Sequence, residues 1–252
     1  MPRRIILALL FLAAPAAVPA SAESWRATYA ITAAGVTILD AEVRFTLGQA
    51  GTPYAIETQT RSRGVATMFF RAENTSRSEG VLQAEAVWPR LHHSTGTWRG
   101  NPRRTRMEYG ADGLARVTAL EPAQDQERTP VPDEARRGAI DTLSAMVQLT
   151  DQVRRTARCN VQARTYDGRR LTQFTITTDR DAEPGTLRCL VESRPLAGVP
   201  TDRPLEETMR PTRSVLVFGV ARPGAPAIPT RVEISSRWWG TIQATLLSLE
   251  AG

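Results

Sequence analysis

The residue types that most often carry chemistry are scarce in this chain. Its only histidines are the adjacent His92 and His93, and its only cysteines are Cys159 and Cys189. All 32 basic residues are arginines, so P-loop and Schiff-base lysines are excluded. Neighbouring side chains on a strand point to opposite faces, so the two histidines are not expected to bind one metal ion together. We predict no catalytic residues, no metal site and no cofactor.

Motifs and acidic residues give little support to an enzyme. The chain contains no G-x-S-x-G, H-E-x-x-H, P-loop, dinucleotide-binding or calcium-loop motif. A hydrolase that works through carboxylates stays open as an alternative, but we expect most acidic side chains to pair with arginines on strand faces. The acidic residues in or beside ordered segments are Asp40, Glu42, Glu57, Glu108, Asp141 and Glu233.

A dense group of arginines is the first lead to a ligand. Arg99, Arg103, Arg104 and Arg106 fall within eight residues. Because guanidinium groups bind carboxylate and phosphate in a bidentate manner, this group could contact an anionic headgroup. The alternative is a solvated surface in which the arginines form ion pairs. Nucleic acid is not an expected partner, because acidic residues are dispersed among the basic ones.

Two apolar runs without alternation are the second lead. One contains Met68, Phe69 and Phe70, and the other contains Trp238 and Trp239. Such runs indicate either fully buried strands or the lining of an apolar cavity. We expect these five residues to be buried in the core, with the lining of an apolar cavity as the alternative.

The rest of the chain predicts a mainly β protein with a large curved antiparallel sheet or barrel-like fold. Hydrophobic residues alternate with a period of two in about ten segments, for example Ala41–Leu47. Asp167-Gly168 predicts a hairpin turn. Helical spacing after a potential Asp141 cap predicts one helix at 141–155. Residues 23–252 form either one sheet or two lobes joined near the proline-rich segment 121–140.

The N-terminus predicts export. Residues 1–22 combine Arg3 and Arg4, an apolar run of about ten residues and a terminal Ala-Ser-Ala, which is the order of a cleaved signal peptide. Its removal lowers the formal net charge from +6 to +4. We find no later segment apolar enough to cross a membrane and expect the periplasm of a Gram-negative bacterium. In that oxidising compartment Cys159 and Cys189 are predicted to form a disulfide.

The order of several short motifs resembles the exported bacterial proteins of domain-of-unknown-function family 3108. The resemblance spans nearly the whole chain after residue 22, implies a periplasmic β-rich protein, and implies neither an activity nor functional residues. The motifs are Tyr29-Ala30-Ile31, Arg61-Ser62-Arg63-Gly64, Ser78-Glu79-Gly80, Trp88-Pro89, Ile140-Asp141-Thr142-Leu143, Tyr166-Asp167-Gly168-Arg169 and Pro229-Thr230-Arg231-Val232 followed by Trp239-Gly240-Thr241.

These observations favour a non-catalytic protein of the cell envelope. The expected ligand is a lipid or another amphiphile, enclosed between a curved sheet and the helix, as in periplasmic lipoprotein carriers; this comparison rests on fold-level analogy. A protein–protein adaptor in the envelope and the carboxylate-dependent envelope hydrolase are the alternatives.

Overall fold

Thirteen antiparallel strands form one continuous sheet that curves into a nearly closed barrel. The computed structural model describes residues 23–252 except 65, 70, 85, 99, 124–127, 184, 220–224 and 237–239. The predicted signal peptide, residues 1–22, lies outside the described residues. The strands are β1 (Glu23–Ala33), β2 (Val36–Leu47), β3 (Pro53–Ser62), β4 (Ala72–Leu82), β5 (Val87–Trp98), β6 (Asn101–Tyr109), β7 (Ala115–Glu121), β8 (Val161–Tyr166), β9 (Leu171–Thr178), β10 (Leu187–Ala197), β11 (Thr212–Gly219), β12 (Ile228–Ser236) and β13 (Gly240–Ala251).

Four helices accompany the sheet in the described part of the chain, and one of these four is longer than a single turn. The short ones are α1 (Ala66–Phe69), α2 (Asp133–Arg136) and α4 (Leu205–Thr208), and the long one is α3 (Thr142–Thr156). The prediction of a helix at 141–155 is therefore confirmed to within one residue. The three short helices were not predicted, because four residues are too few to show a helical period.

The strand order explains how the barrel nearly closes. β1 lies at the centre of the sheet, between β2 and β13. From β1 the chain runs strand by strand to the edge strand β7, crosses to the opposite edge strand β8, and returns strand by strand to β13. The two edges are thus brought together by the segment that connects them, residues 122–160. All thirteen described strands belong to one sheet.

Residues 138–140 bridge the two edges of the sheet. The Gly138 amide donates to the Gly113 carbonyl beside β7 (2.8 Å), and the Ile140 amide donates to the Arg164 carbonyl on β8 (2.9 Å). A buried cluster fills the seam between the edges and contains Met107, Ala115, Ala139, Tyr166 and Leu171. Backbone hydrogen bonds and apolar packing therefore take the place of a strand-to-strand closure.

Helix α3 lies against the concave face of the sheet. Asp141 caps it by accepting a hydrogen bond from the Ser144 amide (2.9 Å), and it ends where Ala157 takes a left-handed conformation with φ 51°. Val147 packs with residues of β1–β4, whereas Leu149 and Val153 pack with β8–β11. The helix therefore connects the cores of both halves of the sheet.

The structure has more strands than the sequence predicted, because β4 and β5 were missed. Both strands carry polar side chains on the concave face, including Asn74, Ser76, Ser78 and Ser94. A strand that is polar on both faces shows no hydrophobic alternation, which is the signal by which the other strands were found. The estimate of about ten strands is corrected to thirteen.

Cys159 and Cys189 form the predicted disulfide. Their Cα atoms are 5.7 Å apart, and both residues are fully buried. Cys159 lies two residues before β8, and Cys189 lies on β10. The bond therefore connects the segment between α3 and β8 to a strand that is two positions from the edge strand β8. The two cysteines are 30 positions apart in the sequence. Closing a loop of this length is expected to stabilise the fold by about 3–4 kcal/mol.

Candidate functional site

An apolar cavity of about 200 Å³ lies between helix α3 and the strands at the centre of the sheet. None of the described residues that line it is charged, and its tyrosine hydroxyl, on Tyr29, donates to the Pro229 carbonyl (2.8 Å). We call its sheet side the apolar wall, which consists of Tyr29 and Ile31 on β1, Ala41, Val43, Phe45 and Leu47 on β2, Ile56 on β3, Ile228, Pro229 and Val232 on β12, and Ala244 on β13. Met146, Val147 and Thr150 of α3 form the opposite side.

Of the five residues named in the sequence as a possible cavity lining, Met68 is the one whose side chain the structure describes. Met68 is 82% exposed on α1 and is not part of the cavity lining. The side chain of Phe69, and residues Phe70, Trp238 and Trp239, lie outside what the structure describes. The lining comes instead from alternating strands such as Ala41–Leu47, whose common face was recognisable in the sequence. Alternation shows which side chains point inward but not whether another element covers them.

A second surface on the concave face has the opposite chemistry. Val43 and Ala41 of the apolar wall pair across the β2–β3 seam with Thr58 and Thr60. The residues that pair in turn with Thr58 and Thr60 across β4, β5 and β6 are all polar apart from one glycine. We call this set, together with Thr58 and Thr60, the polar band. It consists of Thr58 and Thr60 on β3, Asn74 and Ser76 on β4, Ser94 and Gly96 on β5, and Arg103 and Thr105 on β6.

Three side chains of the polar band form a closed hydrogen-bonded ring. The Asn74 amide donates to Ser76 Oγ (2.8 Å), Ser76 donates to Ser94 Oγ (2.8 Å), and Ser94 returns a hydrogen bond to Asn74 Oδ1 (3.0 Å). The ring shows that these residues share one face of β4 and β5. It also orients the Asn74 amide, which lies over Gly96, since a Cβ built at Gly96 would come within 2.9 Å of Asn74 Oδ1.

The arginine group does not act as one patch, because strand alternation divides it between the two faces. Arg104 and Arg106 pair with Thr95 and His93 on the outer face, whereas Arg103 pairs with Gly96 on the concave face. Arg106 forms an ion pair with Glu108 (3.1 Å). No described residue forms an ion pair or a side-chain hydrogen bond with the Arg103 guanidinium. Arg99 lies outside the described residues.

The expectation that arginines pair with acids on strand faces holds for the outer face of β2–β5. Arg77 contacts both Glu57 and Glu79, and Arg63 forms an ion pair with Asp40 (3.0 Å). Such exposed pairs contribute little to stability individually. They do show that most arginines on this face already have anionic partners.

A buried polar network joins the start of α3 to the polar half of the sheet. Asp141 is 1% exposed, and its Oδ1 accepts hydrogen bonds from the Ser78 hydroxyl (2.5 Å) and the Ser144 amide (2.9 Å). Its Oδ2 accepts from the Ser144 hydroxyl (2.6 Å) and from Tyr109 (3.3 Å). His92 Nδ1 lies 3.4 Å from Asp141 Oδ1. The carboxylate is therefore surrounded by donors on β4, β5, β6 and α3.

Counting hydrogens assigns the donors in this network. The single hydroxyl hydrogen of Ser78 is donated to Asp141, so the 2.7 Å contact between Ser78 Oγ and His92 Nδ1 requires that Nδ1 carries a hydrogen. Ser144 likewise donates to Asp141, so the Tyr54 hydroxyl donates to Ser144 Oγ (2.7 Å). Burial is the main reason that the pKa of Tyr54 is raised, which keeps it a donor.

The network stabilises the charged form of Asp141. Burial by itself would raise the pKa of this carboxyl, but the hydrogen bond and electrostatic attraction from His92 and the hydrogen bonds from Ser144 and Ser78 outweigh burial and lower the pKa. On the outer face, burial lowers the pKa of His93, and the nearby His92, Arg77 and Arg106 lower it further. The two histidines thus lie on opposite faces, as predicted, but His92 belongs to a buried network rather than to the surface.

Ser78, His92 and Asp141 lack the geometry of a nucleophilic triad. In such a triad one ring nitrogen of histidine contacts serine and the other contacts the carboxylate. Here Ser78 Oγ and Asp141 Oδ1 both face the same nitrogen, Nδ1, and Ser78 is fully buried. What the arrangement does is hold the N-terminus of α3 against the sheet.

Two structural features are absent from the described part of the chain. No group of three or more His, Cys, Asp and Glu side chains there is arranged to hold a metal ion. None of its helices combines the length and the apolar character needed to cross a bilayer.

Comparisons with known proteins place the chain in a family. No curated protein matches it. A solved crystal structure of a β-barrel-like protein of domain of unknown function DUF1849 from Brucella abortus is similar at a TM-score of 0.49 and 12% identity, with 92% of this chain and 99% of that chain covered. A family model described as a protein of unknown function, DUF3108, matches residues 26–246, so the resemblance seen in the sequence is confirmed and the chain belongs to this family.

Proposed function

We propose that this protein is a non-catalytic binding protein of the cell envelope that takes up the alkyl chain of an amphiphile in the apolar cavity. The observation that carries the proposal is the composition of the lining: none of its described residues is charged, and the Tyr29 hydroxyl is already bonded to the backbone. Such a surface offers water few partners and gains about 0.8 kcal/mol for each methylene group that it removes from water.

The size of the cavity favours one chain over several. Its volume of about 200 Å³ lies below the roughly 300–1,000 Å³ of pockets that hold drug-sized ligands. A single narrow alkyl chain fits such a space better than a lipid with several chains. The ligand class that we propose is therefore a single-chain amphiphile, or one chain of a larger lipid.

The signal-peptide pattern supports a location in the periplasm, where amphiphiles must cross water between two membranes. Cleavage after Ala22 would leave Glu23, the first residue of β1, at the N-terminus. N-terminal sequencing of the protein from its native cell is expected to begin at Glu23. A chain that retains residues 1–22 would contradict export by this route.

The direct test of the proposal is to fill the cavity. Ala41→Trp places an indole on the apolar wall, and Ala30→Trp places the same side chain on the outer face of the neighbouring strand. We expect native mass spectrometry to show co-purified lipid and a neutral dye, N-phenyl-1-naphthylamine, to bind the wild type. The Ala41→Trp variant should bind the dye at least about tenfold more weakly, whereas Ala30→Trp should bind like the wild type.

A second cavity variant protects this test against misfolding. Ala244→Trp introduces the same side chain from β13, and thermal unfolding identifies a variant that has lost its fold. Loss of dye binding in a folded variant of either kind supports the proposal. Dye binding that both folded variants retain, or no binding by the wild type, would contradict it.

A further inference from the structure

We propose that the polar band selects an anionic headgroup, carboxylate or phosphate, and that Arg103 is the residue that recognises its charge. This inference rests on the proposed function, because it concerns the other end of the same ligand. It separates Arg103 from Arg104 and Arg106, which the sequence alone presented as one group.

From β2 to β6, the side chains on the concave face change from apolar to polar. At one level along the strands, its residues run from Ala41 through Thr60 and Asn74 to Gly96 and Arg103. Neighbouring strands are about 4.8 Å apart, so the polar residues begin within one strand of the cavity lining. A ligand with its chain against the apolar wall therefore meets polar donors directly beside the cavity.

Arg103 lies opposite a residue that has no side chain. Its partner across the β5–β6 ladder is Gly96, so no side chain keeps the guanidinium away from the sheet. Asn74 turns its acceptor oxygen Oδ1 toward Gly96, and this oxygen is already bonded to the Ser94 hydroxyl. A carboxylate or phosphate oxygen would therefore accept from the Arg103 guanidinium.

The charges nearby fit an anion and disfavour a cation. The residues of the polar band include no carboxylate, and no described residue neutralises Arg103. The acidic side chains of the same strands, Glu57, Glu73 and Glu79, belong to the outer face, where they pair with arginines. An anionic headgroup would supply the partner that Arg103 lacks among the described residues.

The test compares three ligands that share one alkyl chain and differ only in the headgroup. Decanoate, decyl phosphate and decanol are each used to displace N-phenyl-1-naphthylamine from the purified protein. We expect the two anions to bind about tenfold more tightly than decanol, which is the scale of one partly screened charge-assisted hydrogen bond. Whichever anion binds more tightly identifies the headgroup chemistry.

Arg103→Gln and its matched control Arg104→Gln assign the effect to one face of β6. Arg103→Gln is expected to reduce the preference for anions to within about twofold while leaving the affinity for decanol unchanged. Arg104→Gln should keep the full preference, and thermal unfolding should show that both exposed substitutions leave the fold intact.

The outcomes separate the headgroup inference from the proposed function. Equal affinity for all three ligands in the wild type, or an equal loss in both variants, would overturn the role of Arg103 while leaving chain binding in place. Failure of the neutral dye itself to bind would instead contradict the proposed function, and the headgroup inference with it.

Discussion

The two halves of the concave face share one strand geometry but carry opposite chemistry. The apolar wall on β1, β2, β12 and β13, with Ile56 of β3, lines a space of about 200 Å³ beneath α3. On the other half, the N-terminus of α3 is bonded to β3–β6 by a dense buried network around Asp141. The difference indicates that one half positions the helix, whereas the other half leaves a space beneath it.

This division makes the network relevant to the cavity, although the network does not line it. Helix α3 contributes Met146, Val147 and Thr150 to the cavity, and its N-terminus is held by Asp141. Weakening the network is therefore expected to loosen one side of the cavity as well as to destabilise the fold. The predictions below test each half of this comparison separately.

The largest effect is expected from Asp141→Asn. The amide keeps one acceptor oxygen for the helix cap but replaces the other with a donor, which leaves the hydroxyl groups of Ser78, Ser144 and Tyr109 competing for too few acceptors. We expect a loss of about 2–4 kcal/mol in the free energy of unfolding, measured by urea denaturation. Glu73→Gln is the control, because its ion pair with Arg61 is exposed and should contribute less than about 0.5 kcal/mol. Similar losses in both variants would show that the network is not special.

Two opposite substitutions at a pair of residues that face each other on β2 and β3 should change the free energy of unfolding by less than Asp141→Asn does. One of the two substitutions should cost more than the other. Val43 and Thr58 are register partners on the same face, one in the apolar wall and one in the polar band. Val43→Thr is expected to cost about 1 kcal/mol, because its hydroxyl gains no partner in the apolar wall. Thr58→Val should change stability by less than about 0.5 kcal/mol, since its hydroxyl has no hydrogen-bond partner among the described residues. Equal costs would mean that the two surfaces are not chemically distinct.

Acid should reveal the contribution of the network through its pH dependence. Because the pKa of Asp141 is lower in the folded state than in the unfolded chain, the unfolded state binds protons first as the pH falls. The stability from this group is complete above the unfolded value, near pH 4, and is lost as the pH falls below it. We expect the fall in unfolding midpoint on acidification to be shallower in Asp141→Asn than in the wild type.

Asp112 provides a control for this pH dependence, because it lies on the surface and its pKa is also lowered in the folded state. Hydrogen bonding to Arg116 is the main reason that the pKa of Asp112 is lowered to about 2. Asp112 and Arg116 are both exposed, so added salt should suppress the contribution of Asp112. Salt should not suppress the contribution of Asp141, because Asp141 is buried. If salt removed the whole difference between wild type and Asp141→Asn, the buried network would not be its source.

The apolar half of the fold was predictable from the sequence, and the polar half was not. Alternation identified β1 and β2 and placed Tyr29, Val43 and Phe45 on one inward face, where the structure has them. The helix was found because Asp141 and the apolar spacing after it carry a strong local signal. β4 and β5 gave no such signal, since the same pattern of serine, asparagine and threonine is typical of loops.

The candidate site was harder to predict than the fold, because it depends on which strands become neighbours. Adjacent residues such as Arg103 and Arg104 look equivalent in a sequence, yet alternation sends them to opposite faces. Ser78, His92 and Asp141 are far apart along the chain and meet only after β4, β5 and α3 have packed. The predicted anionic contact at Arg103 and the predicted cavity both remain proposals, now attached to specific surfaces.

A crystal structure with bound ω-bromodecanoate would locate both ends of the proposed ligand in one experiment. The bromine marks the end of the alkyl chain and is located by its anomalous scattering, while the carboxylate marks the headgroup. We expect the bromine to contact Phe45, Val43 or Met146 and the carboxylate to lie within hydrogen-bonding distance of Arg103. Bromine on the outer face of the sheet, or a carboxylate at Arg104 or Arg106, would contradict the binding of an anionic amphiphile on the concave face.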